Sequence, residues 1–412
     1  MNLFDYKDNE LYCEDLPLEL IAREVGTPCY VWSEKTFKNQ LLSFDAAWDG
    51  INHLTCYSVK VASNLSLLEI VAQNGLGADI VSGGELFRAL KAGIEPSKIV
   101  YSGVGKTASE MVEALEAGIL MFNVESKPEL ELLSKIARER NKVAPVAIRV
   151  NPDVDPQTHP YVATGLKESK FGVATIAAID MYNFAAQIDS LNPIGLDCHI
   201  GSQLLSLSPF QEAARRLKEL LISLRSRGLA IKYVDLGGGL GINYDKEEPP
   251  SPEQYASALK AIFEDVKDLT IITEPGRVVA GNSSILLVSV LYNKKTQVKD
   301  FVVIDGAIND LIRPSFYGSF HGIVPVRLTD RPAFPVDVVG PICESGDFLA
   351  KDRSLSQVFS GEYLAIKSAG AYGFSMSSNY NSRLRAAEVL VSGDTYRVIR
   401  RRETREDLIR GE

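Results

Sequence analysis

The chain has 412 residues, a formal net charge of −9, and 45% hydrophobic and 24% charged residues. This composition is typical of a folded globular protein and excludes a disordered one, and the length favours two domains. The acidic balance argues against a nucleic-acid partner, because the one basic stretch, from Arg397, is interleaved with acids.

The cysteine pattern indicates the cellular compartment in which we expect the protein. There are five, scattered along the chain and without a CxxC spacing, which favours reduced thiols and a cytoplasmic location. We expect no metal site, because the four histidines form no cluster with them. We also expect no membrane association, because the N-terminal residues have no apolar run behind them and ILLVSVLY, from Ile285, is too short to cross a bilayer.

The first predicted strand is PCYVWS (28–33). Between about residues 53 and 277, β-rich runs then alternate with amphipathic helical patterns, as parallel βα units do. The predicted strands there are HLTCYSVK (53–60), GADIVS (77–82), IVYSG (99–103), ILMFNVES (119–126), PVAIRVN (145–151), IGLDCHI (194–200), YVDLGGG (233–239) and TIITEPGR (270–277). Eight strands with helices between them match a (β/α)8 barrel of the TIM type in number and length.

After Arg277 the pattern changes to β-rich runs separated by turn signals, with little helical periodicity. These runs are NSSILLVSVLY, DFVVIDGAI, PVDVVGPICE, EYLAIKSAGAY and EVLVSGDTYRVIRRRE. We therefore predict an α/β chain with a barrel over residues 34–277. A C-terminal all-β domain, sandwich-like or barrel-like, would cover residues 278–412 and be completed by residues 1–33.

Function in such a barrel collects at the C-terminal ends of the strands, because the loops that leave them line one mouth. Taken singly, a lysine there usually reaches solvent, a glycine turn often only reverses the chain, and a lone histidine is usually a core residue. Together the strand ends predict one pocket. They carry Lys60, Asp79, Ser82, Arg149, Asn151, His199, Ser202, Gly237, Gly238, Gly239, Glu274, Gly276 and Arg277.

A lysine in a barrel mouth beside a glycine-rich turn that can cradle a phosphate suggests imine chemistry. Two routes are open: Lys60 attacks a sugar or keto-acid carbonyl directly, as in class I aldolases, or it carries pyridoxal 5′-phosphate (PLP). The cofactor explains more of the residues, because it needs a phosphate cradle, a group packed on its ring and a carboxylate near its ring nitrogen. The turn GGGLGI lacks the GxGxxG spacing of a dinucleotide fold.

Over nearly its whole length the chain resembles the fold-type III PLP-dependent decarboxylases, which have an alanine racemase-like barrel. The motifs YSVK, GADIVSGGEL, HIGSQ, DLGGGLGI and EPGR occur in that family's order. The segments DGAINDLIRPSFYGSFH, GPICESGD and GAYGFSMSSNYNSR are similar to its C-terminal motifs. One position departs: the family often has asparagine where this chain has Ala62, which puts one contact near the lysine in doubt.

The resemblance implies a role for each barrel residue. Lys60 would carry PLP covalently, His199 would stack on its ring and Glu274 would pair with the ring nitrogen. Asp79 and Arg149 would support the lysine and the cofactor. The remaining cofactor contacts, mostly to the phosphate, would come from Ser202, Gly237, Gly238, Gly239, Gly276, Arg277 and Tyr372.

The resemblance also implies a homodimer whose active sites are shared across the interface. Cys343, flanked by Glu344 and Asp347, would return a proton to the substrate carbon. The far end of the substrate would be an amino-acid group, whose carboxylate and ammonium suit arginine and acid side chains. The residues expected to bind the substrate are Arg277, Arg313, Tyr317, Glu344 and Tyr372.

The expected reaction is decarboxylation of meso-2,6-diaminopimelate to L-lysine and CO₂, the last step of lysine biosynthesis. Alternatives are a decarboxylase of ornithine, arginine, lysine or carboxynorspermidine, a fold-type III amino-acid racemase, and an inactive relative that stores PLP or regulates a partner. Residues 152–174 interrupt the βα spacing and form either a lid or a surface excursion.

Overall fold

The computed structural model describes residues 3–155, 164 and 170–412. The chain divides into two compact units. The barrel unit is Leu41–Ile242 with Glu248–Arg277, and the β unit is Met1–Gln40 with Asn243–Glu247 and Val278–Glu412. Of the segment expected to be a lid or an excursion, residues 156–163 and 165–169 lie outside the described residues.

The β unit begins with a three-stranded antiparallel sheet of β1 (Phe4–Lys7), β2 (Glu10–Cys13) and β3 (Leu16–Pro17). Asp8 and Asn9, with φ of 49° and 65°, form the two-residue turn between β1 and β2. Short polar side chains tolerate this left-handed backbone, which matches the twist of a hairpin. Helix α1 (Leu18–Glu24), strand β4 (Cys29–Ser33) and helix α2 (Glu34–Ala46) follow.

The barrel unit contains a closed barrel of eight parallel strands, which confirms the predicted fold class. The strands are β5 (His53–Ser58), β6 (Gly77–Ile80), β7 (Ile99–Tyr101), β8 (Met121–Val124), β9 (Ala144–Arg149), β10 (Leu191–Asp197), β11 (Tyr233–Asp235) and β12 (Thr270–Thr273). Neighbours in the chain pair with one another, and β12 pairs with β5 to close the barrel. Each strand overlaps one of the eight predicted segments.

Helices connect the barrel strands. They are α3 (Leu65–Gln73), α4 (Gly83–Lys91), α5 (Ala108–Ala117), α6 (Lys127–Glu139), α7 (Thr175–Ala185), α8 (Ser208–Ser226) and α9 (Pro252–Phe263). Several begin at a residue whose side chain accepts a hydrogen bond from the first turn of the helix: Asn64, Ser82, Thr107, Ser126 and Ser251. These N-caps satisfy backbone groups at the strand-to-helix turns and so fix the loops of the mouth. None of the described helices is long and apolar enough to cross a membrane.

The C-terminal part of the chain is mostly β-sheet. After α10 (Arg277–Ala280) come β13 (Ser284–Lys295), β14 (Asp300–Ile304), α11 (Arg313–Tyr317), β15 (Ile323–Pro325), β16 (Ala333–Val339), β17 (Phe348–Ser356), β18 (Tyr363–Ile366), β19 (Ala387–Ser392), β20 (Thr395–Arg400) and α12 (Arg405–Leu408). They form a nine-stranded sheet in which β4 lies between β13 and β19. Buried side chains of β4, β13 and β19, such as Val31, Leu287 and Val389, belong to one core cluster.

Candidate active site

Inside the barrel, an apolar layer is followed by a polar one toward the carboxyl ends of the strands. The apolar layer contains Cys56, Val100, Met121, Ala147 and Ile272, all fully buried. Because alternate residues of a strand share a face, the residue two positions later faces inward again. At that position a buried polar residue lies in, or directly after, every one of the eight strands. This polar layer consists of Ser58, Asp79, Ser102, Asn123, Arg149, Asp197, Asp235 and Glu274.

Lys60 lies at the edge of the polar layer, in the 3₁₀ turn Val59–Val61 directly after β5. Its Nζ is 2.5 Å from Oδ2 of Asp79, and Ser58 Oγ donates to the same oxygen at 3.0 Å. The side chain of Lys60 is 30% exposed, whereas that of Asp79 is fully buried. The amine is therefore held by a buried carboxylate at the mouth of the barrel.

Three carboxyl groups lie together in the polar layer. Oxygen atoms of Asp197, Asp235 and Glu274 are within 4.8 Å of one another, a spacing that would also suit a metal ion. Burial, together with neighbouring acids, raises the pKa of all three, that of Asp235 to about 6. Carboxyl groups perturbed in this way retain protons closer to neutral pH than ordinary acids do. The three carboxyl groups together can therefore donate hydrogen bonds as well as accept them.

Arg149 is the cation of the polar layer. Its Nη1 is 3.0 Å from Oε1 of Glu125, and its Nε is 4.0 Å from Oδ2 of Asp197. Burial by itself would lower the pKa of Arg149, but the charges of Glu125 and Asp197 outweigh it and raise that pKa. Arg149 thus stays charged and offsets part of the negative charge around it.

His199 follows β10 and packs against the glycine turn after β11. Burial, with the nearby charges of Arg149 and Lys60, lowers the pKa of His199 well below its usual value, so the ring is neutral at pH 7. Thr164 Oγ1 donates to the His199 carbonyl at 2.8 Å and lies 3.0 Å from Nδ1. A Cβ at Gly237 would come within 3.0 Å of the His199 side chain, so glycine permits this approach.

The turns after β11 and β12 are packed too closely for side chains. A Cβ at Gly238 would overlap the carbonyl oxygen of Glu274, and a Cβ at Gly276 would overlap the side chain of Val61. Arg277 donates from Nη2 to Ser202 Oγ at 3.1 Å, which joins the turn after β12 to the loop after β10. The three turns therefore form one connected rim beside His199.

Replacing Gly238 tests this packing. We expect Gly238→Ala to lower the free energy of unfolding by about 1–3 kcal/mol, because the backbone must shift to make room for the methyl group. The control is Gly105→Ala, since a Cβ at Gly105 meets nothing within 4 Å. Urea unfolding of both variants measures the difference, and equal stabilities would contradict the prediction.

The remaining predicted site residues, Arg313, Tyr317, Cys343, Glu344 and Tyr372, lie in the β unit. Arg313 is buried at the start of α11, with its guanidinium carbon 5.5 Å from the ring centre of Tyr244 and 5.7 Å from that of Tyr317. Its Nη2 donates to the Tyr244 hydroxyl at 3.3 Å and to Ser319 Oγ at 3.2 Å. Tyr372 has a left-handed backbone, with φ of 57°.

Cys343 is exposed on a loop that is fixed at several points. Its backbone N–H donates to Oδ1 of Asn381 at 2.8 Å. Asp347 accepts from the N–H of Ile342 at 2.7 Å and from that of Ile308 at 2.9 Å. Asp347 therefore ties the loop of Cys343 and Glu344 to the segment before α11, so its observed contacts are structural.

Asp310, in the same segment before α11, predicts a pH dependence of stability. Burial raises the pKa of Asp310 to about 7. Oδ2 accepts from the N–H of Ala307, and Oδ1 has no partner among the described residues. Between about pH 4 and 7 the folded state thus holds a proton that the unfolded state releases. The stability from this group is present at pH 4 and is lost as the pH rises to 7.

Asp310→Asn keeps the shape of the protonated acid and cannot ionise. We expect it to remove up to about 4 kcal/mol of the fall in unfolding free energy between pH 4 and 7. Urea unfolding at both pH values measures this, with the exposed Asp394→Asn as control. The same fall in Asp310→Asn and wild type would show that Asp310 is already ionised when folded.

Known proteins resemble the chain in sequence and structure. A family model described as pyridoxal-dependent decarboxylase, pyridoxal binding domain, matches residues 34–281. The diaminopimelate decarboxylase of Pseudomonas aeruginosa is 50% identical over 412 residues, which cover 100% of this chain and 99% of that protein. The diaminopimelate decarboxylase of Aquifex aeolicus is 50% identical over 400 residues, which cover 97% and 94%. The chain belongs to the diaminopimelate decarboxylase family.

A solved structure agrees with this assignment. The crystal structure of diaminopimelate decarboxylase from Helicobacter pylori complexed with L-lysine is 43% identical, with a TM-score of 0.92 over 95% of this chain and 98% of that one. The resemblance that the motifs indicated, to fold-type III PLP-dependent decarboxylases, is confirmed.

The sequence motifs missed part of the polar layer. Ser58, Ser102, Asn123, Asp197 and Asp235 are buried like Glu274 but were not proposed as site residues. A signal for them exists: each lies two positions after an inward-facing residue of its strand. Extending the inward-facing register by one step on every predicted strand would have found all five.

Proposed function

We propose that the protein decarboxylates meso-2,6-diaminopimelate to L-lysine and CO₂, with PLP as its cofactor. Family membership supplies the reaction and the cofactor. In this chain, the observation that carries the proposal is the contact of Lys60 Nζ with Asp79, at the edge of a buried acidic layer and within the family's pyridoxal-binding segment. An amine held in this way can form the covalent link that PLP enzymes need.

The barrel residues fit a flat, polar, phosphorylated ligand. Oδ1 of Asp79 and both carboxyl oxygens of Asp197 are buried without a hydrogen-bond partner among the described residues. They show that the polar layer has unused hydrogen-bonding capacity. We assign the phosphate to the rim formed by Ser202, Arg277 and the turns after β11 and β12, where glycines allow close backbone approach.

When bound, PLP accepts the electron pair left by the departing carboxylate. Lys60 would hold the cofactor, and Asp79 would support the lysine amine through its contact with Nζ. Glu274 would share a proton with the ring nitrogen, for which its raised pKa suits it. The neutral ring of His199 would pack on the cofactor without adding charge.

Residues of the β unit, together with Arg277 of the barrel unit, would recognise the substrate. We propose that Cys343 protonates the substrate carbon after CO₂ has left. The distal amino-acid group would be bound by Arg277, Arg313, Tyr317, Glu344 and Tyr372, with Tyr372 also contacting the phosphate. In this proposal a second copy of the chain supplies the Cys343 loop, so the enzyme is a homodimer with shared active sites. We place it in the cytoplasm, where its free cysteines stay reduced.

The test is a panel of substrates. Purified protein with PLP should release CO₂ from meso-diaminopimelate and form lysine. L-Ornithine, L-arginine and L-lysine should react with kcat/KM lower by at least about 100-fold, because their distal end offers Arg313 no carboxylate. Release of CO₂ from one of these, and none from diaminopimelate, would contradict the substrate assignment. Deuterium exchange at Cα without CO₂ would indicate a racemase.

A further inference from the structure

Glu125, the residue after β8, joins neighbouring parts of the barrel mouth. Its Oε1 accepts from Arg149 Nη1 at 3.0 Å and from the Gly103 N–H at 2.9 Å, and its Oε2 accepts from the Gly172 N–H at 3.0 Å. Gly103 follows β7, Arg149 ends β9, and Gly172 precedes α7. A single carboxylate therefore connects the chain segments that leave three consecutive strands.

This carboxylate is deeply buried. The side chain of Glu125 is 1% exposed and that of Arg149 is 9% exposed. Removing a carboxylate from water is unfavourable unless its oxygens are hydrogen-bonded and its charge is balanced. The two backbone N–H groups and the guanidinium meet both conditions, so removal of the charge would leave Arg149 without this counterion.

A second buried ion pair fixes Glu125 from behind. Glu129 accepts from the Glu125 N–H at 2.8 Å through Oε2, and its Oε1 is 2.8 Å from Lys106 Nζ. Lys106 also donates to the carbonyl oxygens of Gly103 and Asn123, each at 2.7 Å. The backbone of Glu125 is thus held without the help of Arg149. Glu125 is the anchor of the pair, and Arg149 is the side chain that it orients.

Arg149 carries this constraint into the polar layer. Its Nε faces Asp197 at 4.0 Å, and Asp197 lies within 4.8 Å of Asp235 and Glu274. We propose that Glu125 is a positioning residue of the cofactor site, which holds Arg149 against these acids and thereby sets how tightly PLP binds. This inference rests on the proposed function, because it takes the polar layer to be the floor of the PLP site.

The test compares Glu125→Gln with Glu388→Gln. Glu388 is also a buried carboxylate paired with an arginine, with Oε2 2.6 Å from Arg400 Nε, but it belongs to the β unit. For each variant, PLP is titrated into cofactor-free protein to obtain its dissociation constant, and urea unfolding is measured without PLP. We expect Glu125→Gln to raise the dissociation constant about 10- to 100-fold and Glu388→Gln to leave it unchanged.

A double-mutant cycle separates positioning from general destabilisation. If Glu125 acts through Arg149, the Glu125→Gln/Arg149→Gln double variant binds PLP no more weakly than Arg149→Gln alone. Additive losses, or wild-type affinity in Glu125→Gln, would overturn the inference. Should Glu125→Gln not fold, Glu125→Asp, which keeps the charge but shortens the reach, enters the same cycle.

Failure of the positioning role can be distinguished from failure of the proposed function. A wild-type protein that neither binds PLP nor releases CO₂ from diaminopimelate would refute that function. A wild type that does both, together with normal PLP affinity in Glu125→Gln, would refute the positioning role alone.

Discussion

Lys60→Ala is expected to lower kcat/KM for meso-diaminopimelate by at least about 10⁴-fold, as loss of a covalent catalyst does in other enzymes. The substitution removes the amine that would hold PLP and leaves Asp79 buried without the ammonium now 2.5 Å away. Two measurements check this. CO₂ release reports the reaction, and the visible absorption of lysine-bound pyridoxal phosphate reports the covalent link.

Lys98→Ala is the matched control. The side chain of Lys98 is 31% exposed, against 30% for Lys60, and it belongs to the same barrel unit and also pairs with an acid, Glu95. We expect this variant to keep the absorption band and full activity. If Lys60→Ala released CO₂ at the wild-type rate, another amine would carry the chemistry.

Glu274→Gln is expected to lower kcat by about 10²- to 10³-fold with little change in KM. Glutamine fills the same space, so packing in the polar layer is retained. Its amide does not ionise, however, so the ring nitrogen of PLP would lose its acidic partner. The effect should therefore fall on the chemical step, which steady-state kinetics with meso-diaminopimelate would resolve.

The control for this variant is Glu264→Gln, an exposed glutamate at the end of α9. It changes the same functional group in the same unit and should leave kcat unaltered. A Glu274→Gln enzyme with normal kcat would mean that the ring nitrogen is protonated by another group. Asp235, whose pKa burial raises to about 6, would then be the first to examine.

The barrel could be predicted because its strands and helices follow simple periodicities. Strands such as β7 and β12 are short apolar runs, and helices such as α6 and α8 repeat apolar residues every three or four positions. Several of the helices also begin at a capping residue, such as Ser126 before α6. Local sequence therefore determined the order of elements, and the closed barrel is the ordinary way for eight such units to bury their strands.

Only three of the eight residues of the polar layer were predicted, for a physical reason. Asp79, Arg149 and Glu274, like Lys60 at the edge of the layer, belong to motifs that single them out. Asp197 and Asp235 lie inside apolar strand segments, where an acid suggests a residue that faces outward. Only closure of the barrel turns them toward one another, and that depends on contacts between strands far apart in the sequence.

The strands of the β unit were harder to predict than those of the barrel. Strand β17 (FLAKDRSLS) was not predicted, because its middle residues are charged and exposed at the end of the sheet. The β1–β2 hairpin was also missed, although Asp8 and Asn9 form a favourable turn between two short alternating runs. Edge strands and small sheets bury few apolar side chains, so their sequences carry little periodic signal.

The polar layer has a thermodynamic consequence for the protein before it meets its ligand. Polar and ionisable side chains fill this part of the barrel interior, where aliphatic side chains would have stabilised the fold by apolar burial. A ligand that binds only the folded chain raises the free energy of unfolding, by about 2.7 kcal/mol when it is present at a hundred times its dissociation constant. The melting temperature of this enzyme should therefore rise and fall with the supply of vitamin B6.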